Sequence, residues 1–209
     1  MSVALHISGE NIRHSFNRKL IFRDVSFDVH ARQSLMVAGR NGAGKSTLIK
    51  ILCGVLTPTS GRVSVDADDA GDGSAVQGRL GLVAPYLQVY EEFSAMENLH
   101  MSMTLRGARP EDARARQLLE QVALDPKRTD PVRGFSSGMK QRLKYAMALI
   151  HRPPVLVLDE PMSNLDADGI AIVRGFMQDQ LREGILVVAT NDRTDLAAPD
   201  REVDLNARR

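Results

Sequence analysis

The sequence predicts an α/β protein with a parallel central sheet, an antiparallel β subdomain at the N-terminal end and an inserted helical segment. Short apolar runs, typical of buried parallel strands, recur at 34–38, 80–84, 155–159 and 185–190. Residues 25–29 alternate apolar and polar side chains, which indicates a half-buried antiparallel strand. Between the second and third runs the pattern becomes helical.

The composition is that of a globular protein. The 209 residues carry 27 Lys+Arg against 26 Asp+Glu, and 43% are hydrophobic, so the chain can bury a core and is neither a disordered chain nor a disulfide scaffold. The net charge of +1 gives no basic surface, so we expect no nucleic-acid partner. The single Cys53 indicates a reducing compartment. We expect neither a signal peptide nor a membrane-spanning segment, because no apolar stretch approaches ~20 residues.

The first half of the chain predicts one helix and one loop. Apolar residues at helical spacing predict a helix from Lys45 to Leu56, which the turn sequence at 57–61 ends. Residues 66–78 are acidic and rich in glycine, and we interpret them as a solvated surface loop. A cation site is the alternative there, but the carboxylates lack the spacing of an EF-hand.

The predicted helical insertion covers about 95–151. One of its helices opens at Pro110, with the proline as the first helical residue. Another covers 137–150, and a further helix near 166–182 separates the last two apolar strands.

A glycine-rich loop lies between the strand at 34–38 and the helix that follows it. It matches the pattern G-x-x-x-x-G-K-[ST] through Gly39, Arg40, Asn41, Gly42, Ala43, Gly44, Lys45 and Ser46. Converging backbone N–H groups at a helix N-terminus bind triphosphate oxygens. Lys45 would supply a charge at the β- and γ-phosphates, and Ser46 a hydroxyl ligand for Mg²⁺. The loop therefore predicts a P-loop NTPase core.

Two acids end the apolar strand at 155–159. Asp159 and Glu160 would lie at the carboxyl edge of the sheet, where open α/β sheets bind ligands. Asp159 would hold Mg²⁺, and Glu160 would polarise an attacking water as general base. Such a pair taken alone is more often a cap or a surface turn, but the phosphate loop on the same edge favours catalysis.

The motif at 135–142 (FSSGMKQR) opens the helix at 137–150. Its hydroxyls and free N–H groups create a second anion site at a helix N-terminus, although by itself the motif is only a good N-cap.

These three motifs, in their order along the chain, resemble those of the nucleotide-binding subunit of ATP-binding cassette (ABC) transporters. Residues 39–47, which end at Thr47, resemble its Walker A motif, and residues 156–160 resemble Walker B. Residues 136–139 stand at its signature motif, and residues 163–166, which end at Asp166, resemble its D-loop. A weaker resemblance is to the short haem-exporter (cytochrome c biogenesis) ATPases.

The resemblance implies a single ABC ATPase domain over 1–209, with a RecA-like core from 1–94 and 152–209 and a helical signature subdomain at 95–151. ATP and Mg²⁺ are the implied cofactors. A second copy, or a homologous subunit, would form a head-to-tail dimer, and an integral membrane permease would be the other partner. The chain would then lie on the cytoplasmic face of the cell membrane, docked through the groove beside residues 85–105.

The resemblance also assigns roles across that dimer. Ser136 and Gly138 would act on the ATP of the opposite subunit, and Ser137 and Asp166 would also belong to the nucleotide-binding residues. Phe16 would stack on adenine; its alternative is an ordinary core phenylalanine in a strand.

Two positions depart from the family pattern. The family's glutamine after the strand at 80–84 is replaced by Pro85, and Gln88 would substitute for it if the loop bends. The family's histidine after Thr190 is replaced by Asn191, which donates a hydrogen bond but carries no charge. We therefore expect ATP hydrolysis to be present but slower than in family members that have both residues.

Other functions remain open from the sequence. The departures favour an ATP-gated module that dimerises with weak hydrolysis. A soluble ABC ATPase acting on ribosomes or DNA is a third candidate, which the single bare cassette and the absence of a basic stripe disfavour. A small-molecule kinase would not explain the motif at 135–142.

Overall fold

The computed structural model describes residues 5–66 and 78–207. The described residues form β1 His6–Phe16, β2 Lys19–His30, β3 Ser34–Ala38, α1 Lys45–Leu52, β4 Ser60–Asp66, β5 Leu80–Val83, α2 Ala95–Leu105, α3 Asp112–Gln121, α4 Ser137–Leu149, β6 Val155–Asp159, α5 Ala167–Gln180, β7 Ile185–Thr190 and β8 Arg201–Asp204. The acidic segment predicted as a loop lies outside the described residues, except at its two ends. Within the described ranges, no helix has the length and apolar character needed to cross a membrane.

The antiparallel sheet has the strand order β2-β1-β4. Ile7 in the central strand pairs with Val29 on one side and Val65 on the other, and all three are buried. The predicted antiparallel strand at 25–29 is confirmed as part of the longer β2. The strand at Ser60–Asp66 was not predicted.

The parallel sheet has the order β5-β6-β7-β3-β8, and every neighbouring pair is parallel. All four predicted apolar runs are strands of this sheet, which confirms the predicted α/β class. The edge strand β8 was not predicted, because Val203 is its single buried residue and the apolar pattern is correspondingly weak.

Side chains alternate between the two faces of the parallel sheet and enter two apolar clusters. Leu156 and Leu186 face the cluster that α2 to α5 complete. Val157 and Val187 face the cluster that contains α1 and the antiparallel sheet. Since both faces are covered, the open part of this sheet is its edge.

Helix α1 ends at Leu52, four residues earlier than predicted. Gly54 has φ +68, a left-handed conformation that glycine adopts at no steric cost. The Gly54 N–H donates to the Ile51 carbonyl and the Val55 N–H to the Lys50 carbonyl, which is the Schellman pattern of a helix end. Val55 and Leu56 therefore lie outside the helix despite their apolar character.

The prediction that Pro110 is the first helical residue is wrong. Helix α3 begins at Asp112, and Glu111 is its N-cap residue. Both carboxylate oxygens of Glu111 accept hydrogen bonds from Arg152, which ties the start of α3 to the segment after α4.

Candidate functional site

Three strands deliver the predicted site residues to one sheet edge. The strands β6, β7 and β3 are parallel neighbours, so their carboxyl ends lie side by side. The phosphate loop follows β3, Asp159 ends β6, and Thr190 ends β7. The register pairs Ala38 with Thr190 and Asp159 with Ala189, which brings the three loops together.

The phosphate loop leads into the N-terminus of helix α1, where the first backbone N–H groups have no hydrogen-bond partner within the helix. The first helical hydrogen bond runs from the Leu48 N–H to the Gly44 carbonyl at 2.9 Å, so the N–H groups of residues 45–47 have no helical partner. Among the described residues, no side chain caps this helix. Gly44 has φ +104, and a Cβ there would lie 2.6 Å from Ile21 Cγ2, so the position requires glycine.

Lys45 is the buried cation of the site. Its side chain is 6% exposed, and its Nζ donates to the Gly39 carbonyl at 2.9 Å. The same Nζ lies 3.1 Å from Glu160 Oε1. The ammonium group thus links the phosphate loop to the acidic pair after β6.

Glu160 has a strained backbone that several hydrogen bonds hold in place. Its φ of 49° is left-handed, which costs about 1–2 kcal/mol in a residue other than glycine. Its N–H donates to the Ala189 carbonyl at 2.8 Å, and its carbonyl accepts the Ser163 hydroxyl at 2.7 Å. This conformation turns the Glu160 side chain toward Lys45, in the way that strain is often retained at functional sites.

Asp159 is fully buried, and neither carboxylate oxygen has a hydrogen-bond partner in the described part of the chain. Burial raises the pKa of Asp159, and the charge of Glu160 adds to that shift. The nearby Ser46 hydroxyl and the Lys45 ammonium oppose it, although Ser46 does not reach hydrogen-bonding geometry. A buried carboxylate beside a hydroxyl supplies the kind of oxygen ligands that Mg²⁺ prefers.

Asn191 lies beside the phosphate loop. Its Nδ2 donates to Asn41 Oδ1 at 3.3 Å, and both residues line a cavity of about 360 Å³. Two residues that the sequence analysis missed line the same cavity, Arg193 and Asn206. Asn206 Oδ1 accepts the Arg40 N–H at 3.1 Å, so the C-terminal segment braces the loop.

A further carboxylate, Asp195, was also missed. The Thr190 hydroxyl donates to Asp195 Oδ2 at 2.6 Å and accepts the Asp192 N–H at 3.0 Å. Burial raises the pKa of Asp195, with further increases from the charges of Asp192 and Glu160. Asp195 therefore positions the loop that carries Asn191.

The predicted signature residues form the capped start of α4. The Ser136 hydroxyl accepts the Met139 N–H at 3.2 Å, and both Ser136 and Ser137 are exposed. A Cβ on Gly138 would lie 3.3 Å from the Asn164 carbonyl, so the motif adjoins the loop after β6.

The structure also gives Asp166 a helix-capping contact. It is the N-cap residue of α5, and its Oδ1 accepts the Gly169 N–H at 2.9 Å.

Phe16 ends β1 with 47% of its surface exposed and contacts only the edge of the His14 ring among the aromatic pairs of the described residues. The alternative that Phe16 is a buried core residue is therefore wrong.

Contrary to expectation, the structure does not bring Gln88 to the acidic pair. Gln88 is exposed and lines a groove with Ser102, Lys144 and Met147, on helices α2 and α4. Instead, Tyr86 of the same segment lies under the Lys50 ammonium at 4.5 Å. Burial raises the pKa of Tyr86 to about 12, and the charge of Asp159 contributes.

Comparison with known proteins agrees with this geometry. A family model described as ABC transporter matches residues 22–163, which include the phosphate loop, the helix start at 137 and the acidic pair. The chain belongs to the ABC transporter family. Its relatives within that family are ATP-binding subunits of transporters, and the chain is accordingly an ATP-binding, ATP-hydrolysing enzyme.

Three relatives illustrate the range of the ABC family around this chain. The cytochrome c biogenesis ATP-binding export protein CcmA of Xanthomonas axonopodis is 34% identical over 93% of this chain and 90% of its own length. The lantibiotic transport ATP-binding protein SrtF of Streptococcus pyogenes is 31% identical over 87% of this chain and 78% of its own length. The linearmycin resistance ATP-binding protein LnrL of Bacillus subtilis is 33% identical over 77% of this chain, which spans only 52% of LnrL.

Solved structures of ABC proteins share the fold. An ATP-binding subunit of an ABC transporter superposes with a TM-score of 0.83 at 26% identity, over 95% of this chain and 85% of that one. A bacterial Atm1-family ABC exporter superposes with a TM-score of 0.82 at 22% identity, over 96% of this chain and 37% of that one. The predicted P-loop core with its antiparallel and helical parts is therefore confirmed as the ABC fold.

Proposed function

We propose that this chain is the ATPase subunit of an export-type ABC transporter, coupling ATP binding and hydrolysis to a separate membrane permease. The observation that carries the proposal is the convergence of Lys45, Asp159 and Glu160 at one sheet edge, beside a helix start with unused N–H donors. Relatives whose names refer to export, lantibiotic transport and drug resistance favour the export direction.

The phosphate-loop residues would bind the triphosphate. The N–H groups of residues 45–47 donate to its oxygens, and Lys45 turns from Glu160 to the β- and γ-phosphates. That movement releases the Glu160 carboxylate, which then accepts a proton from the attacking water. Asn191, held beside Asn41, donates a hydrogen bond to the γ-phosphate. Phe16, exposed at the end of β1, stacks on the adenine ring.

Ser46 and Asp159 would hold Mg²⁺ at this site. When bound, the ion neutralises charge on the β- and γ-phosphates. The unpartnered, buried carboxylate of Asp159 supports this assignment, because an orphaned buried charge is costly without a cation.

Two subunits would form the complete ATP site. Ser136, Ser137 and Gly138 lie at an exposed helix start, which suits contact with a nucleotide held by another copy. Asp166, exposed at the start of α5, would lie at the same head-to-tail interface. We therefore propose a dimer with two ATP molecules between the subunits, and a single ABC ATPase domain with its helical part at 95–151.

The permease would dock in the groove between the segment at 85–88 and helices α2 and α4. The groove residues Gln88, Ser102 and Met147 offer both polar and apolar contacts for an intracellular helix of a membrane protein. Docking there would place the chain on the cytoplasmic face of the membrane.

One competing function has specific support. Pro85 and Asn191 replace two catalytic side chains of the family pattern, and Gln88 lies in the docking groove instead. An ATP-gated clamp that closes on ATP and opens with little hydrolysis would tolerate these losses. Conversely, the presence of Glu160 together with Lys45, Ser46 and Asp159 favours hydrolysis.

Steady-state ATPase assays of the full chain, alone and with the proposed membrane permease, test the proposal. Glu160→Gln should lower the turnover number by at least about 100-fold and leave ATP affinity intact, because it removes the base and keeps the phosphate loop. Lys45→Ala should abolish ATP binding. If the wild-type chain with its permease turns over ATP no faster than Glu160→Gln, the clamp replaces the enzyme as the function.

A further inference from the structure

A cluster of two histidines and one aspartate lies on the antiparallel sheet, and the chemistry proposed above does not use it. His6 at the start of β1 pairs directly with His30 at the end of β2. Asp28 is two residues before His30, so strand alternation puts all three side chains on one face of the sheet. The cluster is separate from the phosphate loop in sequence and in its sheet.

The three side chains converge through their polar atoms. His6 Nε2 lies 2.7 Å from Asp28 Oδ2, and His30 Nε2 lies 2.8 Å from Asp28 Oδ1. The two imidazole rings stack with centroids 4.6 Å apart and planes 15° apart, so both Nε2 atoms point toward the same carboxylate. If each residue contributes one ligand atom, the three atoms all lie within 4.8 Å of one another.

The backbone beneath the cluster is fixed. Ile7, which follows His6, and Val29, which lies between Asp28 and His30, are completely buried and pair with each other. The His30 N–H donates to Gln33 Oε1 at 2.9 Å, which holds the end of β2. Side-chain torsions alone can therefore adjust the distances between ligand atoms.

We infer that His6, Asp28 and His30 form a binding site for a divalent transition-metal ion such as Zn²⁺. Two imidazole nitrogens and one carboxylate, with an open fourth position, are a ligand set that Zn²⁺ takes in proteins. In tetrahedral coordination the ligand atoms lie about 3.4 Å apart. The widest separation here, at most 4.8 Å, must therefore contract by up to about 1.4 Å, and the shortest, 2.7 Å between His6 Nε2 and Asp28 Oδ2, must widen by about 0.7 Å. Imidazole ligands disfavour Mg²⁺ and Ca²⁺, which prefer oxygen.

The surroundings leave room for the remaining ligand. An open cavity of about 440 Å³ adjoins the cluster and is lined by His6, Asp28, Ser8, Glu10 and Ser26. A water molecule can enter the fourth position from this side. The bound ion would join the start of β1 to the end of β2 and stabilise the antiparallel sheet.

Titration calorimetry of the full chain with Zn²⁺, in buffer with excess Mg²⁺, tests the site. We expect one saturable site whose affinity falls at least tenfold in His30→Gln, because one nitrogen ligand is lost. His100→Gln is the matched control: His100 Nε2 lies 3.0 Å from Asp112 Oδ1, a histidine–aspartate pair to which the described residues add no third ligand. Its substitution should leave the affinity unchanged.

Thermal unfolding gives a second readout that needs neither ATP nor a permease. Zn²⁺ should raise the Tm of the wild-type chain and of His100→Gln, but not of His30→Gln or Asp28→Asn. The buried Cys53 should not compete, since burial raises the pKa of its thiol to about 12. Absence of saturable Zn²⁺ binding, or binding of equal affinity in wild type and His30→Gln, would overturn the assignment and leave the proposed ATPase untouched.

Discussion

Lys45, Asp159 and Glu160 bring one positive and two negative charges to a single sheet edge. Lys45 and Asp159 are buried, so neither charge is stable without a partner. Lys45 has its partner in Glu160, whereas Asp159 has none among the described residues. Because the Asp159 carboxylate lacks a partner, this edge of the sheet is suited to bind a triphosphate together with its metal ion.

In the proposed mechanism Asn191 would limit the rate, since an amide cannot supply the charge of a protonated histidine. Asn191→His should raise the turnover number roughly tenfold with little change in KM, because the added interaction forms mainly in the transition state. Steady-state ATPase kinetics measure both constants.

Asn191→Ala is the companion variant, and it removes the donor to the phosphate while leaving the Asp195 contact with Thr190 in place. It should lower the turnover number roughly tenfold or more. Equal turnover in all three proteins would exclude Asn191 from the catalytic site.

Helix α4 connects the proposed signature to the acidic pair. The buried Tyr145 hydroxyl donates to the Pro161 carbonyl at 2.7 Å, directly after Glu160. Just beyond the end of α4, His151 Nε2 donates to the Leu80 carbonyl at the start of β5. The helix is thus tied to two neighbouring strands of the parallel sheet.

The burial of His151 makes the stability of the protein sensitive to pH. Burial, with help from the Arg106 charge, lowers the pKa of His151 from 6.5 to about 4. Between these values the unfolded chain binds the proton and the folded chain does not, so stability is full above pH 6.5 and falls as the pH drops toward 4. The ring is partly exposed, so we expect a loss of about 1–2 kcal/mol rather than the full value of the shift.

Urea unfolding at pH 7 and pH 4.5 measures this loss, and His151→Gln isolates it. Glutamine keeps a donor for the Leu80 carbonyl but does not titrate. The variant should therefore lose about 1–2 kcal/mol less than the wild type between the two pH values. Identical losses would show that His151 does not titrate differently on folding.

At the scale of elements, most of what was predicted correctly came from local sequence patterns. The phosphate loop and the apolar strand ending in Asp159 each occupy fewer than ten consecutive residues, and both were recognised. Contacts between distant parts of the chain were not predictable: Asn206 and Arg40, which share a hydrogen bond, are 166 residues apart. The orientation of Gln88 and the early end of α1 at Gly54 depend on backbone conformation, which the sequence pattern did not show.

At the scale of the whole molecule, the proposed function requires one copy to carry both halves of an ATP site. The phosphate loop and acidic pair lie at the edge of the parallel sheet, and the exposed Ser136 and Ser137 lie at the start of α4. The proposed head-to-tail pair of copies would bring the two halves together twice. Closure of that pair on ATP would move a docked permease, and hydrolysis would release it.

The oligomeric state of Glu160→Gln with ATP and Mg²⁺, measured by light scattering after size-exclusion chromatography, tests this arrangement most directly. Because the variant keeps Lys45 and loses the base, it should trap ATP and elute as a dimer, whereas the Lys45→Ala, Glu160→Gln double variant should remain a monomer. A Glu160→Gln protein that binds ATP yet stays monomeric, even with its permease, would contradict the shared site.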